Sequence, residues 1–234
     1  MLRKGDLTQG GIITTLLQFT LPMLAGSLLQ QCYNIADTLI VGQCIGANAL
    51  AAVGSAYTLM VFLISILLGL SMGSGTVFSL QYGAGDLSAL RRSIYVSLLL
   101  IGTVTILLNV AVFLWLDPIL RWLQVPYDIY SLMRNYLWII FWGIVFTFLY
   151  NFYAALLRAV GDSVTPLWFL AVSVVLNIGL DLFLILVLDQ GIEGAAVATV
   201  IAQGTAASGI LLYTYKPAPS YDYTGKICAS TVPA

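Results

Sequence analysis

The chain has 234 residues, of which 60% are hydrophobic and only 8% charged, against roughly 45–50% and about 25% in soluble domains. Nine basic and ten acidic residues cannot clothe a body of this size in water, so composition places the chain in a bilayer. A net charge of −1 offers no basic field to nucleic acid, and the absence of histidine removes the usual neutral-pH base and metal ligand.

Six apolar segments follow when charges and Gly, Pro and Asp clusters are read as punctuation. They run near Ile12 to Val41, Ala49 to Gln81, Arg92 to Leu116, Ile129 to Ala159, Pro166 to Leu188 and Ile192 to Tyr215. Each is long enough to cross a hydrocarbon core of about 30 Å as a helix. The runs are continuously apolar, whereas barrel strands alternate over about ten residues, so the predicted fold is an all-α membrane protein, a six-transmembrane-helix bundle. The second and fourth segments exceed the minimum length, which predicts tilt or extension beyond the bilayer. No internal repeat is visible, and the apolar stretch from Ile12 is too long for a cleaved signal peptide and lacks an A-x-A site.

Lys and Arg set the expected orientation. With a cytoplasmic N-terminus, that side receives Arg3, Lys4, Arg91, Arg92, Arg158, Lys216 and Lys226, and the opposite side only Arg121 and Arg134. Both termini then face the cytoplasm of a cell whose plasma membrane the chain crosses. The domain reading is a cytoplasmic N-terminus over 1–11, a transmembrane lobe over 12–215 and a cytoplasmic tail over 216–234. The tail contains Pro217, Pro219 and Pro233 and has no periodic apolar face, a composition that predicts disorder. The connection that contains Trp115, Asp117, Pro118, Trp122 and Tyr127 reads as an interfacial segment on the outer side.

Of the three cysteines, Cys32 and Cys44 are separated by about 18 Å along one helix, beyond disulfide reach, and with Cys228 they read as small helix-packing residues. The small residues Ala51, Ser55 and the run Gly69 to Gly73 read the same way. In the stretch from Arg158 to Pro166, Asp162 or Ser163 is placed to cap the next helix. Pro22 removes a backbone hydrogen bond inside the first helix and marks a candidate hinge, although a static bend has the same signature.

A carboxylate inside a bilayer costs about 3 kcal/mol on insertion scales, so each needs a partner or a task. Only Asp37 and Asp181 lie well inside the segments. Asp37 follows Tyr33 and Asn34 by four and three residues, and Asp181 follows Asn177 by four, so each helix presents a carboxylate beside a neutral oxygen-bearing side chain. The combination suits a hard monovalent cation, and equally a proton, because a carboxylate withdrawn from water holds its proton more readily. The structural alternative places Asp37 at the outer interface and leaves Asp181 to bond across helices. Thr199 and Gln203, four apart on a stripe of small residues, read from spacing alone as packing.

Several ordered motifs carry a resemblance. LPMLAGSLLQQCYNIADTLIVGQCIGANALAAVG is followed by QYGAGD at 81–86, LLRAVGDSVTP, LNIGLDLFLI and GIEGAAVATVIAQ. Over about residues 5–216 the chain resembles the N-terminal lobe of the multidrug and toxic compound extrusion (MATE) family, in its bacterial DinF-like branch. The resemblance implies one six-helix lobe of a twelve-helix transporter with a substrate cavity between two lobes. It implies secondary active multidrug efflux: export of cationic or amphiphilic compounds in antiport with Na+ or H+ across the plasma membrane. It places cation or proton coupling on Asp37, Asn177, Asp181 and Thr199, with Tyr33 adjoining and Asn34 and Gln203 as supporting polar groups. No cofactor beyond the coupling ion, Na+ or H+, is implied. The partners implied are an organic cation or amphiphile, the lipid bilayer and a second lobe, with no nucleic acid.

The match stops after one lobe. The expectations are a truncated or frame-shifted reading frame that lacks the C-terminal lobe, or a symmetric pair formed with a second copy of the chain. Two other functions stay open at this point. A lipid-linked oligosaccharide or lipid flippase of related architecture calls for Lys or Arg within the cavity, and the helix interiors show almost none. A non-transporting membrane protein accounts for the missing half. An enzyme is disfavoured, since no nucleophile and base pair, metal cluster or phosphate loop is visible.

Overall fold

Long apolar runs without internal charge favour helix in lipid, where every backbone polar group must be satisfied within its own segment. The structure, a computed structural model, describes residues 12–215. Six helices follow in chain order: α1 (Ile12–Cys44), α2 (Ala47–Gly83), α3 (Leu87–Trp122), α4 (Tyr127–Ala159), α5 (Val164–Leu182) and α6 (Gly191–Tyr215). A five-residue π-helical segment, Phe183–Val187, continues α5. Helices α2 to α6, with the π segment counted in α5, are long and apolar enough to cross a membrane. At 33 residues α1 has the length as well, about 50 Å at 1.5 Å per residue. The chain is a multi-pass all-α membrane protein. Expectations that fall on residues 1–11 and 216–234, including Arg3, Lys4, Lys216, Lys226, Cys228 and the proline-rich tail, lie outside the described residues.

The connections are tight, and glycines at positive φ stand in several of them. Gly85 (φ 74°) lies between α2 and α3 and Gly161 (φ 87°) between α4 and α5, in the left-handed region that a Cβ disfavours. Each turn carries an aspartate cap. Asp86 Oδ1 accepts from the Ala89 N–H at 3.0 Å. Asp162 Oδ1 accepts from the Thr165 N–H at 3.0 Å and Oδ2 from its hydroxyl at 2.7 Å, so the α5 cap is Asp162 and not Ser163, whose side chain makes no cap bond.

The centre of the bundle is α4, whose buried residues run from Ile129 to Leu157 and pack against α2, α3 and α6. Aromatic edges fill the α3–α4 seam, with Phe113 against Trp138 at a centroid distance of 4.8 Å. Small residues bring backbones together elsewhere: a Cβ on Gly75 of α2 would meet the Ala155 Cβ of α4 at 3.3 Å. Asn109 of α3 donates to the Phe141 carbonyl of α4 at 2.8 Å, pinning the register of the two helices. α1 sits at the edge, mainly on α5, with Leu16, Leu17, Leu21, Leu24 and Leu28 exposed.

Three sequence expectations are corrected. The segment read as an interfacial connection is helical: α3 continues through Asp117 and Pro118 to Trp122, turning at Trp115, whose backbone (φ −112°, ψ 16°) leaves the helical region. Proline at 118 excludes the carbonyl of residue 114 from the helical ladder, and the turn at Trp115 relieves that clash. Arg134 Nε and the Tyr130 hydroxyl then donate to Asp117 Oδ1 at 2.8 and 3.0 Å, fastening the bent end to α4. Of the small residues of α2 read as packing, four do not pack within the lobe, whereas Ser71, inside the Gly69 to Gly73 run, is buried. Ala51, Ser55, Gly69 and Gly73 are exposed, and a Cβ on Gly69 or Gly73 would meet nothing within 4 Å. Cys32 and Cys44 are likewise exposed and free. α1 runs as one helix through Pro22.

Candidate functional site

The two carboxylates singled out by the sequence come together from α1 and α5. Asp37 is 8% exposed and Asp181 fully buried, and their carboxyl groups are close enough to interact electrostatically. Each leaves its Oδ1 without a hydrogen-bond partner among the described residues. Two ionised carboxylates facing each other away from water repel unless a cation or a proton lies between them.

Asn177 and Thr199 close the ring around them. Both are buried, at 0% and 5% exposure. In one orientation the Asn177 amide donates to Asp181 Oδ2 at 2.9 Å and accepts from the Thr199 backbone N–H at 3.2 Å, so both ends are satisfied. Turned over, its nitrogen donates to Thr199 Oγ1 at 3.4 Å. Thr199 Oγ1 also shares a 3.3 Å hydrogen bond with the Tyr33 hydroxyl, which links α6 to α1 across the site. The constellation is two carboxylates, one amide and two hydroxyls from three helices, an oxygen-rich set suited to a small hard cation.

The supporting groups divide. Asn34 does not join the site: its amide donates to Gln31 Oε1 at 3.2 Å on an exposed stretch of α1. Gln203 lies one helical turn beyond Thr199, where its Oε1 accepts from Thr147 Oγ1 at 3.0 Å. Pro22 is roughly four turns from Asp37 along α1. Tyr136 of α4 was not singled out by the sequence. It is buried at 4% exposure and close enough to interact electrostatically with Asp37, Asp181 and Tyr33. It sits among the aromatics of YLWIIFW, where nothing in the pattern distinguishes it.

Local structure positions the acids. The π-helical segment begins two residues after Asp181, and such a widening of the helix resets the direction of the residues beside it. Gly194 of α6 lets this segment approach, because a Cβ there would meet the Leu184 and Gln190 Cβ atoms at 3.1 Å.

A multi-helix membrane bundle with polar side chains gathered in its interior has the build of a membrane transporter lobe. Residues 22–183 match the MatE family model, and the chain belongs to that family. It is 37% identical over 211 residues to the probable multidrug resistance protein YpnP of Bacillus subtilis, covering 90% of this chain and 47% of that protein. It is 31% identical over 213 residues to the multidrug export protein MepA of Staphylococcus aureus, covering 88% and 46%. An outward-facing structure of a multidrug resistance MATE family transporter superposes with a TM-score of 0.83 at 24% identity, over 93% of this chain and 48% of that one. The bent form of the Vibrio cholerae MATE transporter VcmN gives 0.78 at 29% identity, over 85% and 45%. The chain thus spans about half the length of the relatives it matches, and its bundle corresponds to one lobe of a MATE transporter.

Proposed function

We propose that this chain is the cation-coupling lobe of a secondary active exporter of cationic or amphiphilic compounds, working in exchange for Na+ or H+. The observation that carries the reading is the meeting of Asp37 and Asp181, buried on separate helices, with Asn177 and Thr199 beside them. A cation held between the carboxylates draws α1 toward α5 and α6, and its loss lets α1 move away with Tyr33. Because α1 borders any cavity shared with a second lobe, ion occupancy and substrate affinity are linked reciprocally. Pro22 is the place where α1 would bend.

The rest of the transporter belongs on the open face of α2. Exposed Ala51, Ser55, Gly69 and Gly73 form a strip on which another helix packs closely, the arrangement expected where small residues face a partner in lipid. A C-terminal lobe accounts for this face and for the length of the relatives. We place both termini in the cytoplasm of a bacterial cell, with the lobe in its plasma membrane, on the excess of Lys and Arg at that side. The helix interiors carry almost no Lys or Arg, which argues against a flippase for anionic head groups.

The test is export of an organic cation such as ethidium from vesicles that carry this chain together with the second half of the Bacillus subtilis relative. Export driven by a Na+ or H+ gradient and abolished by Asp181→Asn supports the reading. Undiminished export by that variant contradicts it.

A further inference from the structure

The end of the lobe opposite Arg91, Arg92 and Arg158 carries a group of side chains in which the acid pair has no part. The register of α3 against α4 gives their depth. The hydrogen bond from the Asn109 amide to the Phe141 carbonyl makes those two residues level. Phe113, four residues on along α3, then meets Trp138, three residues back along α4, with ring centroids 4.8 Å apart. Asp117 and Arg134 follow one turn beyond, bound at 2.8 Å, so the two helices keep step to that point. Measured from Gly143, the middle residue of α4, Trp142 lies about 1.5 Å, Trp138 about 7.5 Å and Arg134 about 13.5 Å toward this end. A hydrocarbon core of about 30 Å centred on Gly143 ends about 15 Å out, at the level of the Asp117–Arg134 pair. Followed through the approaches of Gly143 to Val200 and of Gly209 to Phe169, the exposed Trp168 of α5 falls about 15 Å to the other side, so the same centring puts a tryptophan at that boundary too.

At the Asp117 level α3 changes direction. The backbone of Trp115 leaves the helical region two residues before Asp117, and Pro118 follows. Around the bend the aromatic side chains stand free of the lobe: Trp115 is 64% exposed, Trp122 85% and Tyr127, at the start of α4, 98%. Each joins an apolar ring to a hydrogen-bonding edge, the build that favours the boundary between hydrocarbon and headgroups. Arg121, also exposed, extends the group into the headgroup layer. The bent end is not loose, because Arg134 and Tyr130 of α4 both donate to Asp117.

We infer that the bent end of α3 and the start of α4 form an interfacial foot: Trp115, Trp122 and Tyr127 seat among the headgroups and glycerol esters of the phospholipid leaflet at this face, and the Asp117 clasp joins them to α4. The foot fixes the depth of the central helix of the bundle. α1 has no tryptophan to hold it in the same way. The inference does not depend on what the lobe exports or on which cation it binds.

Depth-dependent fluorescence quenching tests the foot. Trp115, Trp122 and Trp142 are kept one at a time in transporter assembled with its second lobe and otherwise free of tryptophan, in phosphatidylcholine vesicles brominated either high or low on the acyl chains. Trp115 and Trp122 should be quenched more by bromine near the headgroup, and the exposed Trp142 more by bromine near the bilayer centre. Tyr127→Trp as the sole tryptophan should follow Trp122, which keeps the test readable if one variant fails to fold. Asp117→Leu, which removes the clasp, should bring the effects of the two bromines on Trp122 closer together and leave Trp142 as it was. If Trp115 and Trp122 escape both bromines while Trp142 is quenched, the second lobe or water covers them, and the inference is overturned. Stronger quenching of Trp122 by the deep bromine, or a Trp122 profile indifferent to Asp117→Leu, overturns it as well.

Discussion

The Tyr33 hydroxyl of α1 lies 3.3 Å from Thr199 Oγ1 of α6, and this hydrogen bond ties the edge helix that carries Asp37 to the wall that completes the site. Interhelical hydrogen bonds in membranes average about 0.6 kcal/mol, so Tyr33→Phe should lower unfolding stability only by that order. Its larger effect should be on motion. Hydrogen exchange of α1 amides near Tyr33 should quicken in Tyr33→Phe, while exchange in α3 stays as it was. Equal exchange in both helices would show that the bond does not restrain α1.

Gly194 sets how closely α6 approaches the π segment beyond Asp181. Gly194→Ala places a Cβ 3.1 Å from the Leu184 and Gln190 Cβ atoms. Overpacking of this kind costs about 1–3 kcal/mol. The variant should melt earlier in detergent and bind cations more weakly, because the segment that aims Asp181 has to shift. Gly69→Ala, at a position open to its surroundings, should leave both properties unaltered.

The α5 cap offers a stability test away from the acids. Asp162→Ala removes the acceptor for the Thr165 N–H and hydroxyl, at a cost of about 1 kcal/mol. Asp162→Asn keeps one acceptor oxygen and should recover much of the loss. Thermal unfolding of the two variants side by side reads the difference.

At the opposite turn of the same membrane face, hydrogen bonds from the Ala89 backbone and the Ser88 side chain hold the Asp86 carboxyl below the usual aspartate range. A carboxyl whose value is depressed by folding stabilises the fold fully above its unfolded value. That contribution is lost as pH falls through the depressed one. Protection of the Ala89 amide should therefore hold through neutral and mildly acidic pH and fall off in acid. Asp86→Asn, which does not titrate, should show no such step.

Much of this arrangement is legible in the residues, and the failures have physical causes. The four-residue spacing of Asn177 and Asp181 fixes their common face whatever surrounds them, and the cost of a charge in lipid makes any intramembrane carboxylate conspicuous. Asn34 misled because residues three and four before Asp37 fall on opposite flanks of it, about 100° apart, and helix packing selected the Tyr33 flank. Tyr136 could not be chosen, since its role depends on the register of α4 against α1 and α5, which spacing within one helix does not encode. The end of α3 was placed too early because Pro118 looks like a stop. The backbone turn at Trp115 lets the helix absorb it. Ala51, Ser55, Gly69 and Gly73 of α2 do signal packing, but for a face the lobe itself leaves open.

The most direct test of the acid pair as cation site is equilibrium uptake of sodium and of protons by the assembled transporter, measured by titration calorimetry for the wild type, Asp37→Asn, Asp181→Asn and Asn34→Ala. The account predicts saturable uptake of one of the two cations by the wild type, its loss in both aspartate variants and its retention in Asn34→Ala. Uptake in Asp181→Asn equal to that of the wild type would contradict it.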